Sequence, residues 1–599
     1  MAYSMRKKIS KQSKKRLTLV VVMTCLFFIC LIGGVGYRTI VEGEGLARRA
    51  FEVQSRNKEI TPRRGTIFDS TGKPLAISAK VYMITINPKF IIERNQLSQK
   101  KIVAGIAKIL KVDQKPILEK LDVKSQYYLV KRKVEEKDKK ALEAWAEKNK
   151  VDGIVYSDDY KRYYPNGNFA SHVLGFLGTD NTGLYGIEKT YNDYLEGKSG
   201  KIGAGSVGGG ASLAGGGEKR IDSTDGFNVH LTIDETIQYF AEKALDKAIK
   251  DNKVKNGAVA IVTDPRTGDI LALVSKPDYN PNAPYAAPKI AGLNIEKWGS
   301  GRTKGPVEIL NETVWRNRSV SDSYEPGSTF KAITASAGLE EGIVTPTTQV
   351  TDATIQMGRY FINCWRKTSG GIHGWETFEQ AVYNSCNPVF SLLSQKLGVT
   401  KFYAYMKSFG FLEATGITLP GENKGITQPD PTVLDMSVAA FGQRFTVTPI
   451  QMIMAYGAIA NGGTLYEPRL VTEISDNKGN VIKDIESMMV RRVISQKTSD
   501  TLRDILTGVV EEGTGSKAIV DGYQIAGKTG TSQTTDKNRY IASFSGFAPA
   551  DNPRICVLVI LDNPKGKSHM GGTIAAPVAG KIFEETLAYL KVARKYAVK

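Results

Sequence analysis

The chain has 599 residues, more than one hydrophobic core usually supports, so two or more folded units are expected. Its 41% hydrophobic and 24% charged content is that of a globular protein and excludes disorder as the general state. Lys plus Arg exceed Asp plus Glu by 81 to 61, a formal charge of +20 that suits an anionic partner, and the placement of that charge decides which kind.

Seven of the cations (Arg6, Lys7, Lys8, Lys11, Lys14, Lys15 and Arg16) fall in the first sixteen residues with no acid among them, directly ahead of an apolar run. Leu17 to Val35 gives nineteen residues without a charge, enough helix to cross a bilayer core of roughly 30 Å. Residues 1–16 read as a cytoplasmic basic tail and 17–36 as a transmembrane helix, with everything beyond about residue 37 outside the cytoplasmic membrane. The run is longer than the apolar part of a signal peptide and no small-x-small cleavage site follows it, which favours an anchor. The basic tail thus points to membrane topology and not to nucleic acid. Five cysteines, with Cys25 and Cys30 inside the apolar run, exclude a disulfide scaffold.

Residues 37–228 alternate short strand-like pieces with charged helical ones. The segments at 99–112 and 135–149 carry apolar residues at helical spacing. The stretch Gly203 to Gly217 has too little side chain to pack and reads as a loop near a domain boundary. No strand leads into it and no helix with Lys-Ser/Thr leads out, so it is not a phosphate cradle.

Residues 229–599 form the second outer domain. Gly257 to Val262 and Asp269 to Val274 are β-rich and are joined by the turn Asp264-Pro265-Arg266-Thr267-Gly268, which predicts a hairpin. Three more β-rich runs come late, at Tyr523 to Gly527, Arg539 to Phe547 and Arg554 to Leu561, after a long and mostly helical insertion. The expected architecture is α/β, a mostly antiparallel sheet built from both ends of the domain with helices between.

The segment from Tyr324 to Lys331 turns at Pro326-Gly327 and enters a helical pattern that stops at Gly342. Ser328 therefore sits at a helix start, with Lys331 one turn on and on the same face. A serine hydroxyl needs a neighbouring base, and Lys331 can serve if burial and a second cation keep it neutral. The same Ser-x-x-Lys spacing recurs at Ser4, Ser55, Ser70, Ser98 and Ser475, but none of those follows a Pro-Gly turn or opens an apolar helix. Ser385-Cys386-Asn387 follows a helical stretch, with Pro388 expected to break it and leave a hydroxyl and an amide on a loop. Lys528-Thr529-Gly530-Thr531-Ser532 continues a strand-like run; its cation and hydroxyls suit a substrate carboxylate, and Gly530 would let substrate approach the backbone.

Ser-x-x-Lys, Ser-x-Asn and Lys-Thr-Gly in this order are the signature of penicillin-recognising serine enzymes. The chain closely resembles the class B penicillin-binding proteins, and the likeness runs over about residues 17 to 590. It includes Arg64 to Ala76, Arg162-Tyr163-Tyr164-Pro165, Gly183 to Glu188, Pro277 to Asn282, Val447 to Gln451 with Asn461-Gly462-Gly463, and Gly571 to Pro577. The resemblance implies a penicillin-binding transpeptidase fold: a five-stranded, mostly antiparallel sheet flanked by helices, carried on a strand-rich pedestal.

It also implies roles. Ser328 attacks the D-Ala-D-Ala carbonyl of a stem peptide, with Lys331 as base, Ser385 as proton relay and Asn387 orienting the lysine. Lys528, Thr529 and Thr531 hold the terminal carboxylate beside Gly530, and the N–H groups of Ser328 and Thr531 form the oxyanion hole. Peptidoglycan stem peptides and their lipid-linked precursor are the implied substrates, β-lactams the implied covalent inhibitors, and no cofactor is required. A SEDS-family glycosyltransferase and divisome or sporulation proteins are the implied partners, because no glycosyltransferase segment precedes the pedestal. A D,D-carboxypeptidase, a β-lactamase or a β-lactam sensor on the same fold are the competing readings.

Cys364, His373 and Cys386 fall within twenty-three residues and offer two thiols and an imidazole, a zinc-type set that a carboxylate such as Asp352 could complete. A buried free thiol or a Cys364–Cys386 disulfide are the alternatives. His172, His230 and His569 show no clustering and read as structural or exposed.

Overall fold

The computed structural model of the chain describes residues 19, 22–32, 58–122, 125, 127–203, 206–207, 211–212, 219–286, 306–534, 536 and 538–595. The basic tail at 1–16 and the ends of the apolar run lie outside them. Residues 22–32 are helical and their large apolar side chains are exposed, as Phe27 and Ile32 show. Among the described residues no helix is long and apolar enough to cross a membrane. Most of the Gly203 to Gly217 stretch is likewise outside the description.

By packing, the chain divides into two units: 1–62 with 198–224, and 63–197 with 225–599. The first unit contains a three-stranded antiparallel sheet of Lys58–Ile60, Gly200–Gly203 and Lys219–Ile221.

The second unit holds two large sheets. One has seven strands, running Val481–Asp484, Val471–Ser475, Asn228–Leu231, Ile67–Phe68 and Pro74–Ile86, with Tyr128–Val134 and Ile154–Tyr163 both paired to the last of these. It is mixed, because Val229 pairs with Ile67 in parallel while the other pairings are antiparallel. The sequence reading, which placed a five-stranded, mostly antiparallel sheet in the second outer domain, did not anticipate this mixed one. This sheet is stitched from residues more than two hundred positions apart in sequence, which local periodicity cannot reveal. The boundary expected at residue 228 falls at the first residue of one of its strands, Asn228–Leu231.

Three sequence segments that looked alike to family segments meet beside this sheet. Arg64 Nε and Arg162 Nε each donate to Glu188, at 2.6 Å, and all three side chains are buried. Tyr164 Oη donates to the same carboxylate at 3.1 Å, and Arg162 Nη1 reaches Gly65 O at 2.6 Å. Burial alone would raise the Glu188 carboxyl, but the Arg162 and Arg64 charges outweigh it and hold it below its ordinary value. Removing one member of such a cluster leaves an uncompensated buried charge, at a cost of about 3–5 kcal/mol.

The other sheet runs Ile270–Lys276, Val254–Thr263, Ile555–Pro564, Tyr540–Ala548 and Ala526–Gln533, with every neighbouring pair antiparallel. Its central strands are buried on both faces. Ala258, Ala260 and Val262 pack with the helices Glu235–Asp251 and Ala576–Tyr589, while Val259 and Ile261 face the helical insertion. The Ala526–Gln533 strand is the edge that carries Lys528 to Thr531. Within the insertion the helix Pro449–Ala460 is buried along its entire length, as its unbroken apolar composition requires.

Candidate active site

Gly327–Phe330 forms a 3₁₀ turn that runs directly into the helix Lys331–Glu340. Gly327 takes a positive φ of 57°, and its N–H donates to Gly442 O at 2.9 Å. Phe330 anchors the turn against Phe445, Phe411 and Phe402, with ring centroids 4.8, 5.4 and 6.3 Å away. Tyr456 Oη donates to Thr329 O at 2.7 Å from the buried helix behind. Ser328 is half-buried at the start of this rigid turn, and the Lys331 N–H donates to its carbonyl.

Lys331 is fully buried, and its amine is held by three oxygens: Ser385 O at 2.7 Å, Asn387 Oδ1 at 2.7 Å and Ser385 Oγ at 3.1 Å. Burial pushes its pKa from the ordinary 10.5 to about 7, against the opposing pull of the Cys386 and Cys364 sulfurs. Ser385 reaches it from a left-handed backbone, φ 57°, a conformation rare for a serine that turns both its carbonyl and its hydroxyl toward one amine. Asn387 is not on a loop as expected. It opens the helix Asn387–Leu397, with Cys386 as N-cap and Pro388 in the first turn, a position that suits proline because its missing N–H has no helical partner anyway.

Lys528 is also fully buried, and its amine donates a long hydrogen bond to Thr529 O at 3.4 Å. Burial first, and the nearby Lys331 charge second, hold it well below its ordinary pKa. Its charged form, disfavoured by burial, is stabilised by an incoming carboxylate. Gly530 has a packing task besides the one expected of it. A Cβ there would lie 2.5 Å from Ser543 Oγ, 2.8 Å from Pro326 O and 3.0 Å from Thr329 Cγ2, so its bare backbone lets the strand close onto the Ser328 turn. Ser532 Oγ locks that contact by donating to Glu325 O at 2.9 Å.

Two further groups bond the strand: Thr514, which sequence reasoning did not single out, and Gly571, which it noted only as part of a family-like segment. Thr514 Oγ1 bonds Thr529 Oγ1 at 3.0 Å, and the Gly571 N–H donates to Thr531 Oγ1 at 2.9 Å. The second leaves the Thr531 hydroxyl proton free for a ligand. The Gly513-Thr514-Gly515 turn was the available signal.

The comparisons with known proteins agree with this geometry. Residues 258–584 match the penicillin-binding protein transpeptidase domain and residues 59–231 the penicillin-binding protein dimerisation domain. Stage V sporulation protein D of Bacillus subtilis is 35% identical, over 97% of this chain and 86% of its own length. The chain belongs to the class B penicillin-binding proteins. Peptidoglycan D,D-transpeptidase FtsI of Escherichia coli is 28% identical over 94% of this chain and 90% of its own. Penicillin-binding protein 2X from Streptococcus thermophilus superposes with a TM-score of 0.70 at 25% identity, covering 90% of this chain and 81% of that one. A peptidoglycan synthetase from Bifidobacterium adolescentis gives 0.68 at 26%, covering 91% and 98%.

Beside the lysine pocket of this penicillin-binding protein lie Cys364, His373 and Cys386, whose ligand-type atoms all fall within 4.8 Å of one another. Cys364 Sγ is 3.4 Å from His373 Nδ1, the imidazole Nε2 is buried without a partner, and burial pushes the Cys386 thiol up. Asp352 stays outside the cluster. Its oxygens accept from the His373 and Gly374 N–H groups at 2.7 and 3.2 Å, and it is 3.9 Å from His373 Nδ1. Glu376, unremarked in the sequence, is buried nearby with Oε1 unpartnered and its pKa raised by that burial. The other histidines stand apart: His172 is buried against Val314 O, His230 meets Ser475 Oγ, and His569 stacks on Tyr540 at 3.9 Å.

If Lys331 must be neutral to act, reaction at Ser328 should accelerate as pH rises through about 7. Between pH 6 and pH 8 the neutral fraction grows roughly tenfold, and the second-order rate of acylation by penicillin should grow with it. A profile flat to pH 9 would contradict the depressed lysine.

Proposed function

We propose that this chain is a peptidoglycan D,D-transpeptidase that cross-links stem peptides through an ester on Ser328. The observation that carries the reading is the buried Lys331 amine, held by Ser385 and Asn387 one helical turn from Ser328. Neutral Lys331 removes the Ser328 hydroxyl proton as Oγ attacks the penultimate D-Ala carbonyl. The negative charge on the carbonyl oxygen is met by the N–H groups of Ser328 and Thr531. Lys528, Thr529 and Thr531 bind the terminal carboxylate. The C–N bond breaks as the proton passes through Ser385 Oγ to the departing D-Ala amine, leaving the acyl ester. An amine from a neighbouring stem then attacks the ester, losing its proton along the same route, and Ser328 regains its hydroxyl. No cofactor enters these steps.

The N-terminal basic tail and apolar run support a single-pass anchor, N-terminus inside and catalytic domain outside, with residues 37–228 as pedestal and 229–599 as transpeptidase. A membrane-embedded SEDS-family polymerase, with divisome or sporulation proteins, would supply the strands to be joined. Labelling with fluorescent penicillin tests the nucleophile: the wild-type chain should label and Ser328→Ala should not, and equal labelling of both contradicts the mechanism. Incubation with donor and acceptor stem peptides should give a cross-linked dimer; trimmed monomer alone would make the chain a carboxypeptidase.

Cys364, His373 and Cys386 are read as zinc ligands, since two thiols and an imidazole gathered around one point are a zinc-type donor set. The ion would tie the segment from 364 to 386 together and so steady Ser385. Protein purified under reducing conditions should carry about one zinc per chain, and chelation should lower its melting temperature. Zinc-free protein with an unchanged melting temperature would remove this reading and leave the serine chemistry untouched.

A further inference from the structure

Two cavities of the second unit share a wall, and neither includes Ser328, Lys331, Ser385 or Lys528. One, about 350 Å³, lies against the start of the Val254–Thr263 strand and is lined by Arg539 and Tyr324. The other, about 540 Å³, is lined by Tyr185, Trp315 and Asn317. Arg316 and Ser321 line both, so the two cavities adjoin.

Each cavity holds a buried polar atom with no partner in the protein. These are the Tyr324 hydroxyl in the first and Asn317 Nδ2 in the second, on side chains only 7% exposed. A buried donor left unmade is costly, and folded chains keep one where something else completes it. The Asn317 side chain has its oxygen occupied, accepting from Ser319 N at 3.0 Å, so its free NH₂ is available to the cavity. Tyr185 and Trp315, with ring centroids 5.5 Å apart, add an apolar ring surface. Across both linings four cations (Lys189, Arg316, Arg318 and Arg539) stand against three carboxylates (Glu312, Asp322 and Asp562), a net positive charge of one.

Tyr324 precedes Ser328 by four residues, so at most about 14 Å of chain separates them. Its backbone is fixed by mutual N–H to carbonyl bonds with Val447, at 2.9 and 3.0 Å. The four stem residues up to the reacting carbonyl span about 13 Å when extended. A substrate whose reacting carbonyl is at Ser328 therefore has the reach to bring the sugar that bears its stem to the cavity lined by Tyr324. Such a sugar offers N-acetyl carbonyls and hydroxyls to orphaned donors and an apolar ring face to aromatic residues.

We infer that the two cavities together form a subsite for the amino-sugar strand that carries the stem peptide, with Asn317 Nδ2 and the Tyr324 hydroxyl as its hydrogen-bonding anchors. The inference rests on the transpeptidase reading and extends it from the peptide to the glycan.

Two near-isosteric variants test it. Tyr324→Phe deletes only the hydroxyl, and Asn317→Asp keeps the oxygen that caps Ser319 while removing the free donor. The full chain in detergent micelles is titrated calorimetrically with a peptide-free oligosaccharide of the wall glycan, and separately with free stem pentapeptide. Fluorescent penicillin is applied in parallel to report Ser328. Each variant should weaken oligosaccharide binding about threefold to tenfold, the worth of one net hydrogen bond, while pentapeptide binding and penicillin labelling stay at the wild-type level. Equal oligosaccharide binding by wild type and both variants overturns the subsite, as does a loss confined to the pentapeptide or no oligosaccharide binding by a wild type that labels. Failure of the wild type to label counts against the serine mechanism, and the oligosaccharide titration still decides the sugar site on its own.

Discussion

Two lysine amines in one desolvated space set the terms for the rest of the molecule. Lys331 and Lys528 are both fully buried, and the Lys331 charge lowers the proton affinity of Lys528. Their surroundings differ. Lys331 has three oxygens within 3.1 Å, whereas Lys528 reaches the Thr529 carbonyl at 3.4 Å. The first amine is fixed in place by those oxygens while burial lowers its pKa, as a base requires, and the second, without such acceptors, is matched when an anion arrives.

Holding that arrangement demands close backbone approach. The edge strand can touch the Ser328 turn because Gly530 has no side chain, and the segment at Gly571 can cap Thr531 because a Cβ there would lie 2.1 Å from Gly530 O. Ser385 contributes through an uncommon left-handed backbone. Such a site is stiff because the phenylalanine cluster under the turn and the wholly buried helix behind it leave little room to move. Catalytic groups built this way need little rearrangement when charge develops.

The chemistry was legible in the sequence because each motif carries its own local context. Pro326-Gly327 announced the turn before Ser328, and the alternation at 257–274 announced the hairpin. What could not be read was pairing at a distance. Nothing near Ile67 says that Val229 lies beside it, or near Val229 that Ile474 does, since those registers are set by tertiary packing. Pro388 was misread as a breaker because proline at a helix start and proline after a helix end look alike without the cap. The thiols and imidazole were found from composition. Asp352 was taken as their companion because a carboxylate in sequence range cannot be distinguished from one already spent on backbone N–H groups.

A crystal structure of the chain after reaction with penicillin tests the central claim most directly. The account predicts an ester on Ser328 Oγ, Lys331 Nζ still within hydrogen-bond reach of Ser385 and Asn387, and the drug carboxylate against Thr529 and Thr531 beside Lys528. An adduct on any other residue, or a Lys331 amine turned away from Ser385 and Asn387, would contradict it.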